Sequence, residues 1–303
     1  MSHTSAPFYP FRSAEARDTY LAYYDARAAR EWPIASEERM APTSYGKTFV
    51  RISGPAGAPP LVLLPGGLGT SLMWSPNIQG LSKEYRTFAV DQIAEHGRSI
   101  SAKPVRTIED VLNWLNELFD VLGLENGINL AGVSYGGATT ARYATRYPER
   151  LDSAILIAPA MTVLRLTGRF LGQMIWAMLK PGPGLPRLFR WIFADLGRKD
   201  PQKLEETIEF ISLCFRTGVR GELPIPKVLT DEELGGLRVR TLFLAGEHET
   251  VFDPVKAVRR LRRVAPQIAT EIIPGAGHDL TIVQAEAVNR SILEFLGHSD
   301  GKD

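Results

Sequence analysis

Cysteine is almost absent from this chain: Cys214 is the only one among 303 residues. A disulfide needs two thiols and a thiolate metal site needs several, so both are excluded within the chain, and the usage fits a reducing compartment. Cys214 lies in the apolar run Phe210-Ile211-Ser212-Leu213-Cys214-Phe215, where it reads as a small buried hydrophobe. An excess of charge is missing too, since 35 Lys and Arg face 34 Asp and Glu. A net charge of +1 supplies no field toward nucleic acid or anionic membranes, so any partner must be recognised by a site. Long apolar runs are also lacking. The most apolar stretch, residues 163–179, is interrupted by Arg165, Arg169 and Gln173, which excludes an ordinary membrane span. The first ~30 residues hold no continuous apolar segment of the kind a secretory signal needs. No repeat at solenoid spacing occurs. The expectation is a soluble, cytoplasmic chain, 44% apolar and 23% charged, long enough for one large α/β core with an insertion.

What is present is a rhythm of short apolar runs and helical patterns. Ser13 caps a helix expected to reach about Arg30, ahead of Pro33, with Tyr20, Leu21 and Tyr24 on one face, and residues 1 to about 12 read as a loose tail. The alternation in Lys47-Thr48-Phe49-Val50-Arg51-Ile52, behind the turn signal Ser44-Tyr45-Gly46, predicts an antiparallel strand pair within residues 37–52. The triplet Gly46-Lys47-Thr48 is not a phosphate loop, which needs a glycine where this chain has Ala41. After the turn-rich segment 54–60 come the runs Leu61-Val62-Leu63-Leu64, Thr87-Phe88-Ala89-Val90, Ile128-Asn129-Leu130-Ala131, Ala154-Ile155-Leu156-Ile157, Thr241-Leu242-Phe243-Leu244 and Glu271-Ile272-Ile273. Strands apolar at nearly every position are covered on both faces, the mark of a mostly parallel sheet between helices. Residues 108–122 place Val111, Trp114, Leu115, Leu118 and Val121 on one helical face, and Asp253-Pro254 opens another helix.

The rhythm stops between about residues 158 and 240. That stretch shows helical runs at 163–179, 185–196 and 204–215, punctuated by Pro181-Gly182-Pro183-Gly184-Leu185-Pro186. The expected layout is an α/β core of residues 1–160 and 238–303, with an N-terminal helical extension at about 13–32 and a helical cap inserted as residues 161–237. Phe170, Met174, Trp176 and Trp191 form either a small core of their own or, with Leu68, the wall of a substrate cleft.

An open α/β sheet binds ligands beyond the carboxyl ends of its strands, so residues that directly follow the apolar runs are the functional candidates. Gly132-Val133-Ser134-Tyr135-Gly136-Gly137 reads as a strand that stops, a serine at the apex of a tight turn, and a helix that starts at once. Glycines at 132 and 136 tolerate the crowding such a turn imposes. A serine hydroxyl becomes a nucleophile when a base takes its proton, and a third group must orient the base. Of the five histidines, His3 and His298 lie in the tails, His248 adjoins the candidate acids, and His96 sits in the loop after Val90-Asp91. His278 follows the last strand in Gly275-Ala276-Gly277-His278, where the glycines let the loop swing the ring over the sheet, and is the expected general base. For the acid, the segment after Leu244-Ala245-Gly246 offers Glu247, Glu249 and Asp253. Asp253 is accounted for as a helix N-cap, so Glu249 is chosen, with Asp253 as the alternative. A developing oxyanion would meet the backbone N–H of Tyr135 at a helix start and that of Gly67 in Pro65-Gly66-Gly67-Leu68-Gly69. That loop is no dinucleotide fingerprint, because Leu72 stands where its third glycine belongs. Neither metal nor cofactor is expected.

With nucleophile, acid and base in this order after successive strands, the chain resembles the α/β-hydrolase superfamily over residues 47–296, and within it the capped bacterial serine esterase-like members. The resemblance rests on the elbow Gly132-Val133-Ser134-Tyr135-Gly136, on Gly246-Glu247-His248-Glu249 as the acid segment, and on the pair Gly277-His278. Three features depart from the superfamily pattern. Pro65-Gly66 replaces the usual His-Gly, and the loop Asp91-Gln92-Ile93-Ala94-Glu95-His96-Gly97-Arg98-Ser99 is one residue longer than Asp-x-x-Gly-x-Gly-x-Ser. Glutamate also stands where aspartate is commoner. The resemblance implies a carboxylesterase-like serine hydrolase that cleaves apolar small-molecule esters through an acyl-enzyme on Ser134, without a cofactor. The same triad could serve lactone, amide or carbon–carbon cleavage or perhydrolysis, or the fold could only bind a ligand. Carbon–carbon hydrolases of this kind tend to carry tryptophan directly after the histidine, where this chain has Asp279. The sequence leaves the oligomeric state open, a homodimer included.

Overall fold

The computed structural model describes residues 9–180, 182–219 and 223–297, and in it all six apolar runs are strands of one sheet. The chain begins with α1 (Ala14–Glu31), the hairpin β1 (Glu37–Thr43) and β2 (Gly46–Ser53), β3 (Pro60–Leu64), α2 (Ser75–Leu81), β4 (Arg86–Val90), β5 (Ile100–Ser101) and α3 (Ile108–Leu122). It continues through β6 (Ile128–Val133), α4 (Tyr135–Arg146) and β7 (Leu151–Ile157) into a helical insertion of α5 (Gly168–Leu179), α6 (Gly184–Ile192), α7 (Ala194–Lys199), α8 (Pro201–Thr217) and α9 (Asp231–Gly235). The core resumes with β8 (Arg240–Gly246), α10 (Pro254–Val264), β9 (Ala269–Ile273), α11 (Leu280–Val283) and α12 (Ala285–Gly297).

Among the described residues the sheet has nine strands in the order β1-β2-β4-β3-β6-β7-β8-β9, with β5 beside β2. Pairings of β2 are antiparallel, and those from β4 through β9 are parallel. Successive strand side chains point to opposite faces, so each parallel strand feeds two cores. Val62, Leu64, Leu130, Leu156 and Phe243 pack with Trp114 and Leu118 of α3 and Leu261 of α10 on one face. Leu61, Leu63, Ala131, Ile155 and Leu244 pack with Ile78 of α2 and Ile292 of α12 on the other. The path leaves β3 toward β4 in one direction and β6 toward β7 in the other. Loops at the carboxyl ends of β3 and β6 therefore part at a switch point and leave a crevice between them.

Ser13 caps α1 by accepting from Ala16 N at 3.1 Å, and Thr107 with Asp110 forms a capping box on α3. Helix α1 packs on the insertion: Tyr20 and Tyr23 stack on Phe210 of α8 with ring centroids 5.5 and 5.6 Å apart. Two helix expectations shift. The helix expected from residue 163 starts at Gly168, because Val163 is drawn into the main core, where its carbonyl accepts from Arg260 Nη1 and Thr167 N donates to Val251 O at 2.8 Å. The run 185–196 breaks at Phe193 into α6 and α7. Cys214 is buried, as expected, with its Sγ 3.5 Å from Phe210 O, and burial pushes its thiol up to about 12. His3, His298, Pro181 and residues 1–8 of the tail lie outside the described residues. Among the described residues no helix is long and apolar enough to cross a membrane.

Candidate active site

Between β6 and α4 the backbone turns at Ser134 with φ 53 and ψ −110, a conformation costing of order 1–3 kcal/mol for a residue with a side chain. The turn is closed by contact. A Cβ on Gly132 would lie 2.2 Å from Gly136 O, and one on Gly136 would lie 2.5 Å from Pro65 O, so neither position admits a side chain without movement. Ser134 N donates to Ile157 O at 2.8 Å, while Ala138 N and Ala160 N both donate to Ser134 O. The hydroxyl makes no cap bond to α4 and stays half-buried at the crevice. All five non-glycine residues with positive φ among the described residues, Leu68, Ala94, Ser134, Ala158 and Met161, lie just beyond strand carboxyl ends. Backbone strain is thus gathered on the edge where ligands are expected.

On that same edge His278 Nδ1 lies 2.8 Å from Glu249 Oε2, with the imidazole 10% and the carboxylate 0% exposed. Glu249 Oε1 accepts Val251 N at 2.8 Å, which fixes the carboxylate from the other side. The loop is pressed onto β8: a Cβ on Gly246 would stand 2.3 Å from both Ala276 O and Gly277 O. Burial alone would push the His278 pKa down, but the charge and hydrogen bond of Glu249, aided by Asp279, outweigh it and raise the pKa above the ordinary histidine value. The alternative acid, Asp253, is turned elsewhere. It caps α10, accepting Lys256 N at 2.9 Å. The β3 loop lies against the elbow, since a Cβ on Gly66 would sit 3.4 Å from Ser134 Cβ and one on Gly67 would sit 3.9 Å from Tyr135 Cβ. Tyr135 opens the 12-residue α4, where free N–H groups and the helix dipole favour an anion.

The remaining histidines have other partners. His248 Nδ1 lies 3.0 and 3.2 Å from the carboxylate oxygens of Asp195 in α7, joining the insertion to the core. His96 is buried among Phe11, Tyr20 and Gly218, and burial holds its pKa down at about 4. Two groups escaped the sequence reading. Asp279 accepts Leu196 N of α7 at 2.7 Å and Gly277 N at 3.2 Å, clamping the His278 loop to the insertion. Glu95 lies in the loop after β4, and burial pushes its pKa up to about 7 against the opposing pull of the Leu68 and His96 backbone amides. An acid in the loop that follows a strand end was the one signal that could have found it. Phe170, Met174 and Trp191 belong to the insertion's own apolar cluster around Ala177, Leu188 and Ile192, and Trp176 lies under Arg187 at 4.5 Å. Trp191 also borders a cavity of about 300 Å³ with Asp195, Arg198, His248 and Thr250.

A nine-stranded sheet of this order, carrying a strained serine at a strand-to-helix turn and a buried His–Glu pair beyond the ends of β9 and β8, defines an α/β hydrolase. A model of the alpha/beta hydrolase fold family matches residues 59–285, and the chain belongs to that family. Among curated proteins it is similar to carboxylesterase nap of Bacillus subtilis (strain 168), with 36% identity over 293 residues covering 95% of this chain and 96% of that one. Carboxylesterase YbfK of the same organism is 34% identical over 290 residues, covering 94% and 96%. The crystal structure of naproxen esterase (carboxylesterase NP) from Bacillus subtilis superposes with a TM-score of 0.85 at 35% identity, covering 94% of this chain and 99% of that one.

Proposed function

We propose that this chain is a carboxylesterase working by acyl transfer through Ser134. The observation that carries the reading is the 2.8 Å His278–Glu249 pair, buried on the sheet edge that also bears the strained serine. With Nδ1 donating to Glu249, the other ring nitrogen, Nε2, is the one free to accept the Ser134 proton. Ser134 Oγ attacks the ester carbonyl, and the backbone N–H groups of Gly67 and Tyr135 receive the oxyanion. His278 returns the proton to the leaving alcohol. It then activates a water that releases the acid from the acyl-enzyme. The Glu249 carboxylate holds the ring tautomer and stabilises the imidazolium formed in each half-reaction.

Residues 161–237 serve as a cap over this edge, tied down by the Asp195–His248 and Asp279–Leu196 contacts. Leu68 and the apolar insertion residues Phe170, Met174, Trp176 and Trp191 are the cap-side candidates for contact with a small apolar ester. The names of the similar proteins support ester hydrolysis over the other bonds the same triad can break. A cytoplasmic setting is part of the reading, in keeping with the free thiol of Cys214.

The test is hydrolysis of p-nitrophenyl esters of increasing chain length, beside lactones and aryl amides, by the wild-type chain and Ser134→Ala. A fall of at least ~10³ in kcat, with loss of fluorophosphonate labelling, is expected for Ser134→Ala. Full activity in that variant would end the proposal.

A further inference from the structure

We infer that the groove between α10 and the edge strand β9 is a binding site, separate from the catalytic cleft, for a monocarboxylate with an apolar chain. Strand β9 ends the sheet: among the described residues β8 is its one strand partner. Helix α10 and this edge strand leave between them a groove of about 350 Å³, walled by Val255, Val258, Arg259 and Arg262 of the helix and Ile272 of the strand. Positions 255, 258, 259 and 262 follow the i, i+3, i+4, i+7 spacing of one helical stripe, so two valines and two arginines share a face. Val258 and Ile272 pack on the main core and make the floor, while Val255 is 55% exposed at the lip. Ser134, Glu249 and His278 are not among the walls.

Charge decides the occupant. Helix α10 carries Lys256, Arg259, Arg260, Arg262 and Arg263 within 11 residues. Asp253 pairs with Lys256, and Asp231 pairs with Arg260 and Arg263. Among the described residues Arg259 and Arg262 have neither an ion pair nor a hydrogen bond from their side chains. They stand three residues apart on the helix, where like charges repel, and an anion held between them relieves that repulsion. A guanidinium presents a planar fork of N–H donors that matches a carboxylate. Inorganic phosphate would use the charges and leave Val255, Val258 and Ile272 in water. An alcohol would cover those side chains and leave the guanidiniums without an anion. An acid with an apolar chain meets both needs. The volume lies at the small end of the ~300–1,000 Å³ typical of ligand pockets, which suits a chain of several carbons better than a bulky ring system.

The test is calorimetric titration of octanoate, butyrate, octanol and inorganic phosphate into the wild-type chain, Arg259→Gln/Arg262→Gln and Val255→Asp, with sedimentation of each. A fully buried methylene is worth about fourfold in affinity, and about half of that free energy, or about twofold, is retained in a groove open along one side. Octanoate, four methylenes longer than butyrate, is therefore expected to bind at least ~tenfold more tightly than butyrate, octanol or phosphate. Both variants are expected to lose that octanoate site, the first by removing the charges and the second by setting a carboxylate at the lip while leaving the arginines in place. A wild-type chain with no octanoate site overturns the inference, and so do octanoate sites that both variants keep, since they lie elsewhere. Butyrate, octanol or phosphate binding as tightly as octanoate overturns it too, by removing either the chain or the charge from the recognition. A wild-type dimer that the arginine replacements dissociate assigns the groove to a second copy of the chain and overturns it as well. The titration reads no hydrolysis, so its failure leaves the esterase reading untouched.

Discussion

Replacing Glu249 by glutamine changes one heavy atom and no volume, yet the site has no harmless arrangement for the amide. The carboxylate accepts two donors, His278 Nδ1 through Oε2 and Val251 N through Oε1, each at 2.8 Å, with no side-chain surface exposed. An amide brings one acceptor oxygen, so one of the two must face its NH2 group. If that is the backbone N–H of Val251, which cannot move its proton, a buried donor is orphaned at a cost of about 1–3 kcal/mol. The imidazole can move its proton, and so yields first. The ring then carries hydrogen on Nε2, the nitrogen that must accept from Ser134, and the charge that stabilised imidazolium is gone. We expect Glu249→Gln to lower kcat by about 10³ to 10⁴, the scale of a wrong-tautomer triad, with little change in KM. Any residual activity should rise at lower pH than in the wild type, because the carboxylate that outweighs burial at His278 is lost. The assay is p-nitrophenyl butyrate hydrolysis across pH, with Asp253→Ala as comparison. That variant removes the α10 cap, costing about 1 kcal/mol of stability, and should hydrolyse normally. Glu249→Gln activity within about threefold of wild type, or a collapse in Asp253→Ala instead, would refute the assignment.

Gly132→Ala should destabilise the fold by about 2–4 kcal/mol, because its Cβ would lie 2.2 Å from a backbone carbonyl that cannot step aside. Denaturant titration reads this directly, and an unchanged midpoint would contradict the elbow packing. Asp279→Ala orphans the Leu196 and Gly277 amides, so the thermal midpoint should fall by at least ~2–4 °C. Proteolysis should then cut within the insertion first, and an unaltered melt and digest would show that the clamp bears no load.

Much of this architecture is legible in the chain because its signals are local. Each apolar run became a strand since a strand covered on both faces is buried at consecutive positions, as β6 is throughout. The elbow is legible for a related reason: its two glycines are demanded by contacts within residues 132–137 and with the adjoining β3 end. Illegible parts depend on distant partners. Val163 looks helical until Arg260 and the main core claim it. Glu95 looks like any loop acid until the packed chain buries it and pushes its pKa up to about 7.

The sequence by itself determined the parallel α/β core, the place of the insertion, and the serine, histidine and short set of acids at strand ends, since periodicity and turn chemistry act over a few residues. Only the tertiary structure decided that Glu249 and not Asp253 meets His278, that α1 joins the insertion through Phe210, and that Asp279 binds the histidine loop to α7. The physical reason is reach. Hydrogen bonds and charges act over a few ångströms, and which groups come that close across tens or hundreds of residues is set by how the layers pack.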